Sequence, residues 1–211
     1  MTDQYIIALN KLKDACIANK INIAWNTFVF EDNSFGHLLP VKSSASLEAD
    51  LWAELKSKIG QEKFDNLVGG LQAAMVRQIP GTLTAMPEHS YLKAADDERY
   101  RLVLFLFPLE GKEPEIENFF LEWKKHYVEK KSTAPYSIYK LQYGEQKEQG
   151  YIISLPAKDA ADMEARMSEN RDRMGETLGY LWKKQMSFTK KYYFRRGYFV
   201  PDLGYALRTA N

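Results

Sequence analysis

The sequence predicts an α+β protein in which one structural unit occurs twice. Residues from Phe35 to Tyr91 share the order and spacing of their landmarks with residues from Gln149 to Tyr205. Each stretch begins with a glycine before a short apolar strand, continues through two helices, and ends in a proline followed by a tyrosine. We therefore predict a tandem repeat, with residues 1–94 as the first unit and residues 95–211 as the second.

Composition and charge set the broad class of the protein. The chain is 45% hydrophobic and 27% charged, as is usual for a soluble globular protein. A net charge of +1 creates no general attraction to nucleic acid or to an anionic membrane. There is no long apolar run and no leader-like N-terminus, so the expected location is cytoplasmic unless a leader precedes this sequence.

Hydrophobic periodicity places the elements of the first half. Apolar residues at helical spacing between Tyr5 and Cys16 predict a helix with one buried face. Ile21–Phe30 and Gly36–Val41 then predict a strand hairpin, because turn residues separate two runs rich in β-branched and aromatic side chains. Helices are predicted over Leu47–Ile59 and Gln61–Gln78, followed by a short edge strand before Pro87.

The second half begins after the charged segment Lys93–Arg99, which reads as a linker. Tyr100–Phe107 is apolar on both faces, as expected of a central strand. A helix beginning near Pro114, a hairpin from Tyr136, and two helices beginning near Asp159 and Gly175 follow. The order β-α-β-β-α-α is ferredoxin-like, and the first half repeats it without the first strand. Such a sheet leaves one face uncovered, so we expect the two repeats to pack sheet to sheet.

Turn and packing residues carry a resemblance to a known family. The matching segments of the first half are Val41–Glu48, Gly60–Glu62 and Met86–Tyr91. In the second half, only Gly175–Glu176 corresponds to Gly60–Glu62, and Leu203–Tyr205 diverges from the end of Met86–Tyr91. These resemble uncharacterised bacterial members of the dimeric α+β barrel group, in particular the NIPSNAP-like proteins. The resemblance implies two ferredoxin-like repeats paired as an intramolecular dimeric α+β barrel. Because the group includes cofactor-free monooxygenases, haem-handling proteins and proteins without known activity, it implies a fold more than a reaction.

No common catalytic motif is present in the sequence. It lacks the hydrolase nucleophile elbow, the phosphate-binding loop, the dinucleotide fingerprint, and the usual zinc patterns. The histidines His37, His89 and His126 have no second histidine or cysteine at ligand spacing, so we expect no metal site and no cofactor. A single axial histidine for haem stays open.

The segment Lys190–Phe199 interleaves basic and aromatic residues, as platforms for single-stranded nucleic acid do. A helix that begins at Gly175 and continues through Tyr192 offers a simpler explanation. Leu178, Leu181 and Tyr192 would share its buried face while lysines occupy the solvated face. We therefore expect neither nucleic acid nor membrane as a partner.

The ligand-site hypothesis rests on aromatic side chains of the predicted hairpins. The candidates are Trp25, Tyr136, Tyr139 and Tyr143, with His37 or Asn26 as the polar group. Three functions stay open: a protein that binds a small apolar or aromatic ligand between its two sheets, a cofactor-independent monooxygenase, and an interaction module without a ligand. The protein is expected to be a monomer or a homodimer.

Overall fold

The structure is a computed structural model that describes residues 2–41, 50–144 and 148–206. The chain divides into two compact units, Met1–Gln78 with Phe199–Asn211 and, separately, Ile79–Tyr198. In chain order the elements are α1 (Thr2–Ala18), β1 (Ala24–Phe30), β2 (Phe35–Leu38), α2 (Ala53–Ile59), α3 (Gln61–Ala73), β3 (Gly81–Ala85), β4 (Tyr100–Pro108), α4 (Glu113–Glu129), β5 (Ser137–Tyr143), β6 (Glu148–Ala157), α5 (Ala160–Met174), α6 (Glu176–Ser187), β7 (Thr189–Phe199) and β8 (Tyr205–Ala206), with a 3-10 turn at Pro201–Leu203 before β8.

The first unit packs helices against one face of a small antiparallel sheet. β1 pairs with β2, where Thr27 lies opposite His37, and with β8, where Trp25 lies opposite Tyr205. The apolar stripe predicted for α1 is confirmed, since Tyr5, Leu9, Leu12 and Cys16 belong to the buried core of this unit. Trp25, Leu55, Phe64, Leu203 and Tyr205 complete that core.

The turn between β1 and β2 fixes the register of this hairpin. Asn33 adopts a left-handed backbone conformation with a φ of 61°, which asparagine tolerates better than most residues. The Asp32 carboxylate accepts a hydrogen bond from the Ser34 backbone N–H at 3.1 Å. With the turn set, Thr27 and His37 fall on the same face of neighbouring strands.

The second unit is a five-stranded antiparallel sheet in the order β7-β4-β6-β5-β3. Its run β4-α4-β5-β6-α5-α6-β7 follows the ferredoxin-like order, and the α+β class predicted from the sequence is confirmed. The helices pack on the face of β4 that carries Leu104 and Leu106. The core there also contains Ile116, Phe119, Phe120, Tyr127, Tyr136, Ile138, Tyr151 and Leu181.

Two elements differ from their predicted form. The helix predicted to continue through Tyr192 ends at Ser187, and residues 189–199 form β7, the strand that completes the ferredoxin-like order. Six aromatic and β-branched residues in this run favour a strand. The predicted helix over Leu47–Ile59 begins at Ala53, and residues 42–49, which include most of the Val41–Glu48 resemblance segment, lie outside the described residues.

The compact units also differ from the predicted division after residue 94. β3 pairs with β5 through five residues, so it belongs to the sheet of the second unit. Residues from Phe199 onward return to the first unit, where β8 pairs with β1. Strand pairing therefore places β3 in the second unit and β8 in the first unit, which the order of the sequence does not indicate. The duplication itself stays a prediction.

Candidate functional site

Three polar side chains form a continuous hydrogen-bonded chain inside the first unit. The Tyr5 hydroxyl of α1 lies 2.7 Å from Nε2 of His37 on β2. Nδ1 of the same imidazole lies 3.0 Å from Oγ1 of Thr27 on β1. Thr27 in turn donates to the backbone carbonyl of Leu203 at 2.9 Å. We call Tyr5, His37 and Thr27, together with the Leu203 carbonyl, the Tyr-His-Thr chain.

The chemistry of each group gives this chain a direction. A threonine hydroxyl has one proton, and that proton is committed to the Leu203 carbonyl. Thr27 must therefore accept from His37, which places the imidazole proton on Nδ1. The unprotonated Nε2 then accepts the hydrogen bond that the Tyr5 hydroxyl donates. Protons in this chain thus point from Tyr5 towards Leu203.

The C-terminal segment of the first unit sets that direction. The Leu203 carbonyl also accepts a hydrogen bond from Trp25 Nε1 at 3.0 Å, so both of its lone pairs are used. The next residue, Gly204, allows this close approach, because a Cβ atom there would lie 2.9 Å from the Trp25 carbonyl oxygen. Trp25 and Thr27 are both buried. One carbonyl therefore accepts hydrogen bonds from both Trp25 and Thr27, and Thr27 in turn contacts His37.

Burial keeps the chain uncharged near neutral pH. Loss of solvent lowers the pKa of His37 below its ordinary value of 6.5 and raises the pKa of the Tyr5 phenol above 10.0. The neutral imidazole can accept a proton, whereas the Tyr5 phenol keeps its own until a base takes it. The Tyr5 oxygen receives no hydrogen bond from any described residue, so it is the open end of the chain.

A small aromatic group surrounds the open end of the chain. The rings of Tyr5 and Phe35 have centroids 4.7 Å apart, and Phe35 is nearly parallel to the His37 imidazole at 6.3 Å. Phe35 and His37 are half-buried on the same face of β2. A flat apolar molecule would find ring surface and a hydrogen-bonding group at one place.

Asn26, which the sequence offered as an alternative to His37 for the polar group, does not join this site. It is exposed and lies between the buried residues Trp25 and Thr27 on β1. Because neighbouring side chains of a strand point to opposite faces, Asn26 points away from the Tyr-His-Thr chain. Of the predicted candidates, Trp25 and His37 are linked indirectly, because the Leu203 carbonyl accepts from Trp25 and from Thr27, which bonds to His37.

The three tyrosines of the second hairpin are divided between the two faces of β5. Tyr136 lies among the helices in a cluster with Trp123 and Tyr127, at ring distances of 6.1 Å and 5.3 Å. Its hydroxyl is buried and has no hydrogen-bond partner among the described residues. Tyr139 and Tyr143 alternate with the buried Ile138 and therefore lie on the opposite face. The prediction that all three line one space is not supported by this alternation.

The face of Tyr139 and Tyr143 carries further aromatic rings. Phe105 on β4 stacks on Tyr193 of β7 at 4.8 Å and lies 6.4 Å from Tyr143. Burial and the neighbouring Tyr143 raise the pKa of Tyr193 to about 12. In the register of the strands, Ile152 pairs with both Phe105 and Tyr139. Charged side chains border these rings, since Glu148 lies opposite Tyr143 and Lys191 lies over the Phe107 ring at 4.3 Å.

Sequence reasoning missed two members of the chain. The sequence pattern explains Tyr5 as part of the buried stripe of α1, and it gives Thr27 no functional role. The pairing of Tyr5 with His37 joins residues 32 positions apart. The one available signal was the shared face of Trp25, Thr27 and Val29, which already placed a hydroxyl beside the indole.

Two cavities of the second unit, a crevice of about 20 Å³ beside Asn170 and a cleft of about 430 Å³ beside Glu98, share Arg166 and lie away from the aromatic face of Tyr139. Within residues 2–41, 50–144 and 148–206, no three His, Cys, Asp or Glu side chains gather as metal ligands would. Among those residues, no helix has the length and apolar character needed to cross a bilayer.

Comparison with known proteins identifies the fold. No family model matches the chain, and no curated protein matches it. A crystal structure of an anthrone oxidase-like protein is similar with a TM-score of 0.67 and 8% identity, covering 99% of this chain and 89% of that one. A candidate monooxygenase from Lactobacillus acidophilus NCFM is similar with a TM-score of 0.52 and 6% identity, covering 97% of this chain and 89% of that one. At these identities the likeness concerns the fold, and it offers nothing for the narrower NIPSNAP resemblance. The chain therefore shares its α+β fold with these two proteins.

Proposed function

We propose that the protein is a cofactor-independent oxygenase that acts on a flat aromatic molecule bearing an acidic C–H group. The observation that carries the proposal is the Tyr-His-Thr chain, which presents a neutral imidazole to the buried Tyr5 phenol, whose oxygen accepts no hydrogen bond from a described residue. The two structural neighbours support the proposal, since their names describe an anthrone oxidase-like protein and a monooxygenase. The predicted ligand site between two sheets plays no part in it.

Proton removal is the step for which the chain is suited. A substrate C–H proton passes to the Tyr5 oxygen while the Tyr5 proton passes to His37 Nε2. The resulting imidazolium is stabilised because its Nδ1–H donates to Thr27, whose hydroxyl donates to Leu203. The substrate is left as a carbanion that its aromatic rings stabilise.

Dioxygen completes the reaction without any other oxidant. The carbanion transfers its electrons to O₂ and forms a C–O bond, and the peroxide takes back the proton from His37 through Tyr5. Loss of water then converts the original CH₂ group to a carbonyl. The sum is CH₂ plus O₂ giving C=O plus H₂O, which balances atoms and electrons and returns the Tyr-His-Thr chain to its starting state.

A non-catalytic binder of flat apolar molecules is the second candidate. It is favoured by the aromatic face of the second unit, where Tyr139, Tyr143 and Tyr193 are half-buried and Phe105 stacks on Tyr193. Contact area would provide the affinity there, and no proton would be moved.

Oxygen uptake distinguishes the two candidates. Purified protein is mixed with anthrone in air, with and without a chelator, and O₂ uptake is followed with an electrode while the ketone product is followed by absorbance. We expect uptake above the uncatalysed rate in both cases. His37→Gln should lower the rate by roughly a hundredfold, as expected for loss of a general base. The control His126→Gln changes a histidine beside Glu129 on the surface of α4 and should retain the activity.

Two results would contradict the oxygenase. The first is a rate for His37→Gln within about twofold of the rate for His126→Gln. The second is quenching of tryptophan fluorescence by anthrone and related polycyclic ketones in the absence of any O₂ uptake, which would favour the binder.

A further inference from the structure

One face of β7 exposes aromatic side chains that the fold does not cover. Tyr192, Phe194 and Tyr198 lie opposite Leu106, Leu104 and Tyr100 of β4, so they share the helix-bearing side of the sheet. On β4 these positions are buried, whereas on β7 the three rings are 44%, 48% and 43% exposed. The helices therefore cover one strand and leave its neighbour open. We call Tyr192, Phe194, Arg196 and Tyr198 the β7 aromatic face.

Neighbouring residues hold these rings in place. Trp182 of α6 meets Tyr192 edge-on at 5.5 Å and stacks on Phe194 at 6.4 Å. Tyr198 meets the buried Tyr100 edge-on at 5.0 Å. Rings at alternate positions of a strand recur about every 6.7 Å. The β7 aromatic face is thus a row of supported, solvent-accessible rings in which Arg196 stands between Phe194 and Tyr198.

The charges around the row are predominantly positive. β7 contains no acidic residue, and two of its basic residues, Lys190 and Arg196, alternate along the strand with the same face as the three rings, whereas Lys191 and Arg195 lie on the opposite face with Tyr193. Lys190 and Lys191 share the single carboxylate of Glu148, and Arg196 pairs with Glu164 across 3.4 Å at an exposed position. Exposed ion pairs of this kind contribute about 0–1 kcal/mol, so an incoming anion competes for these cations easily. Lys183 of α6 is exposed beside Trp182.

We propose that the β7 aromatic face binds single-stranded nucleic acid. Unpaired bases stack on aromatic rings whatever their identity, and basic side chains along the same strand follow the phosphates. Both requirements are met by one strand, and the cations are complementary to a polyanion. A duplex keeps its bases paired and stacked, so it would use the cations without the rings.

The expectation that nucleic acid is not a partner depended on a helix through Tyr192. In that helix Tyr192 would have been buried while the lysines faced solvent. The strand replaces this arrangement with aromatic and basic side chains exposed together. The proposal is independent of the Tyr-His-Thr chain, so each can fail without the other.

Fluorescence anisotropy with a labelled oligothymidine of about 12 nucleotides tests the proposal on the full chain at low salt. We expect saturable binding that weakens several-fold for each increase in salt of about fourfold, as phosphate contacts require. Phe194→Ala should weaken binding by about tenfold or more through loss of one stacking surface. Phe194→Tyr should restore it. Tyr180→Ala removes another exposed aromatic residue of α6, 52% exposed, and should bind as the wild type does.

Circular dichroism confirms that each variant is folded, and Tyr192→Ala replaces Phe194→Ala if the latter is not. Absence of binding at protein concentrations up to about 100 μM would overturn the proposal, since this exceeds usual non-specific dissociation constants. Equal affinity for a duplex of the same length, or equal affinity of Phe194→Ala and Tyr180→Ala, would also overturn it. A concentration-dependent dimer that Phe194→Ala abolishes would assign the face to a second copy of this chain instead.

Discussion

Tyr5 of the first unit and Tyr136 of the second unit are both buried between helices and a sheet, yet their hydroxyl groups differ in hydrogen bonding. Burial raises the pKa of both. The Tyr5 hydroxyl donates to His37, whereas the Tyr136 hydroxyl has no hydrogen-bond partner among the described residues. The comparison teaches that burial alone makes a phenol harder to ionise, and that a directed partner is needed before its proton can move.

Removing the Thr27 hydroxyl from the Tyr-His-Thr chain should have the largest effect on stability and on the protonation of His37. Thr27→Val keeps the shape of a fully buried side chain but leaves His37 Nδ1 without its acceptor. We expect a loss of about 1–3 kcal/mol in the free energy of unfolding, measured with urea, because a buried donor loses its partner. The ¹⁵N chemical shifts of His37 should show that the Nδ1–H tautomer is no longer dominant.

Thr27→Ser is the matched control, since it restores the hydroxyl and lacks only a methyl group. It should return the wild-type tautomer while remaining up to about 1 kcal/mol less stable. If the valine variant kept the same ¹⁵N pattern as the serine variant, Thr27 would not set the tautomer.

Replacing each tyrosine by phenylalanine should sharpen the comparison with a smaller effect. Tyr5→Phe leaves His37 Nε2 without its donor and should cost about 1 kcal/mol. Tyr136→Phe removes a buried hydroxyl without a partner and should be neutral or slightly stabilising. Urea unfolding of both variants measures the difference, and an equal loss in the two would show that the Tyr5 hydroxyl contributes nothing beyond its ring.

The smallest expected effect is the dependence of stability on pH. Because the pKa of His37 is lowered from 6.5 in the folded protein, the unfolded chain binds a proton first as the pH falls. The stability that this histidine contributes is therefore full above about pH 6.5 and decreases as the pH falls towards the lowered value. Within the Tyr-His-Thr chain, Tyr5 does not titrate in this range.

Urea unfolding of the wild type and His37→Gln between about pH 5 and pH 7.5 isolates this contribution. The loss between these limits should be larger for the wild type. Identical profiles would mean that His37 titrates in the folded protein as it does in the unfolded chain.

Local patterns predicted much of the fold, and the reasons are visible in single elements. The stripe of α1 and the apolar run of β4 were readable because each depends on side-chain spacing within one element. β7 was misread because Leu178, Leu181 and Tyr192 fit a helical face by coincidence, although tyrosine and phenylalanine in its second half favour a strand. The edge position of β3 depends on pairing with β5, which spacing alone does not specify.

The candidate site was less predictable than the fold because its parts meet only in three dimensions. Trp25 and His37 were proposed from their hairpin, and the hairpin does bring Thr27 opposite His37. Nothing in the neighbourhood of Tyr5 indicates that its hydroxyl reaches an imidazole 32 residues later. Asn26 and Tyr136 lie away from the Tyr-His-Thr chain, and composition could not have indicated the strand faces to which they belong.

The Leu203 carbonyl makes the first unit discontinuous in the chain, and this has a consequence for biosynthesis. Thr27 and His37 leave the ribosome early, but the acceptor that orients Thr27 is added only after the whole second unit has been translated. Domains usually fold as units while synthesis proceeds. Here the second unit can fold first. The direction of the hydrogen bonds in the Tyr-His-Thr chain is established only when the segment that contains Leu203 joins the first unit. A nascent chain arrested before residue 203 should hold the imidazole without a defined tautomer.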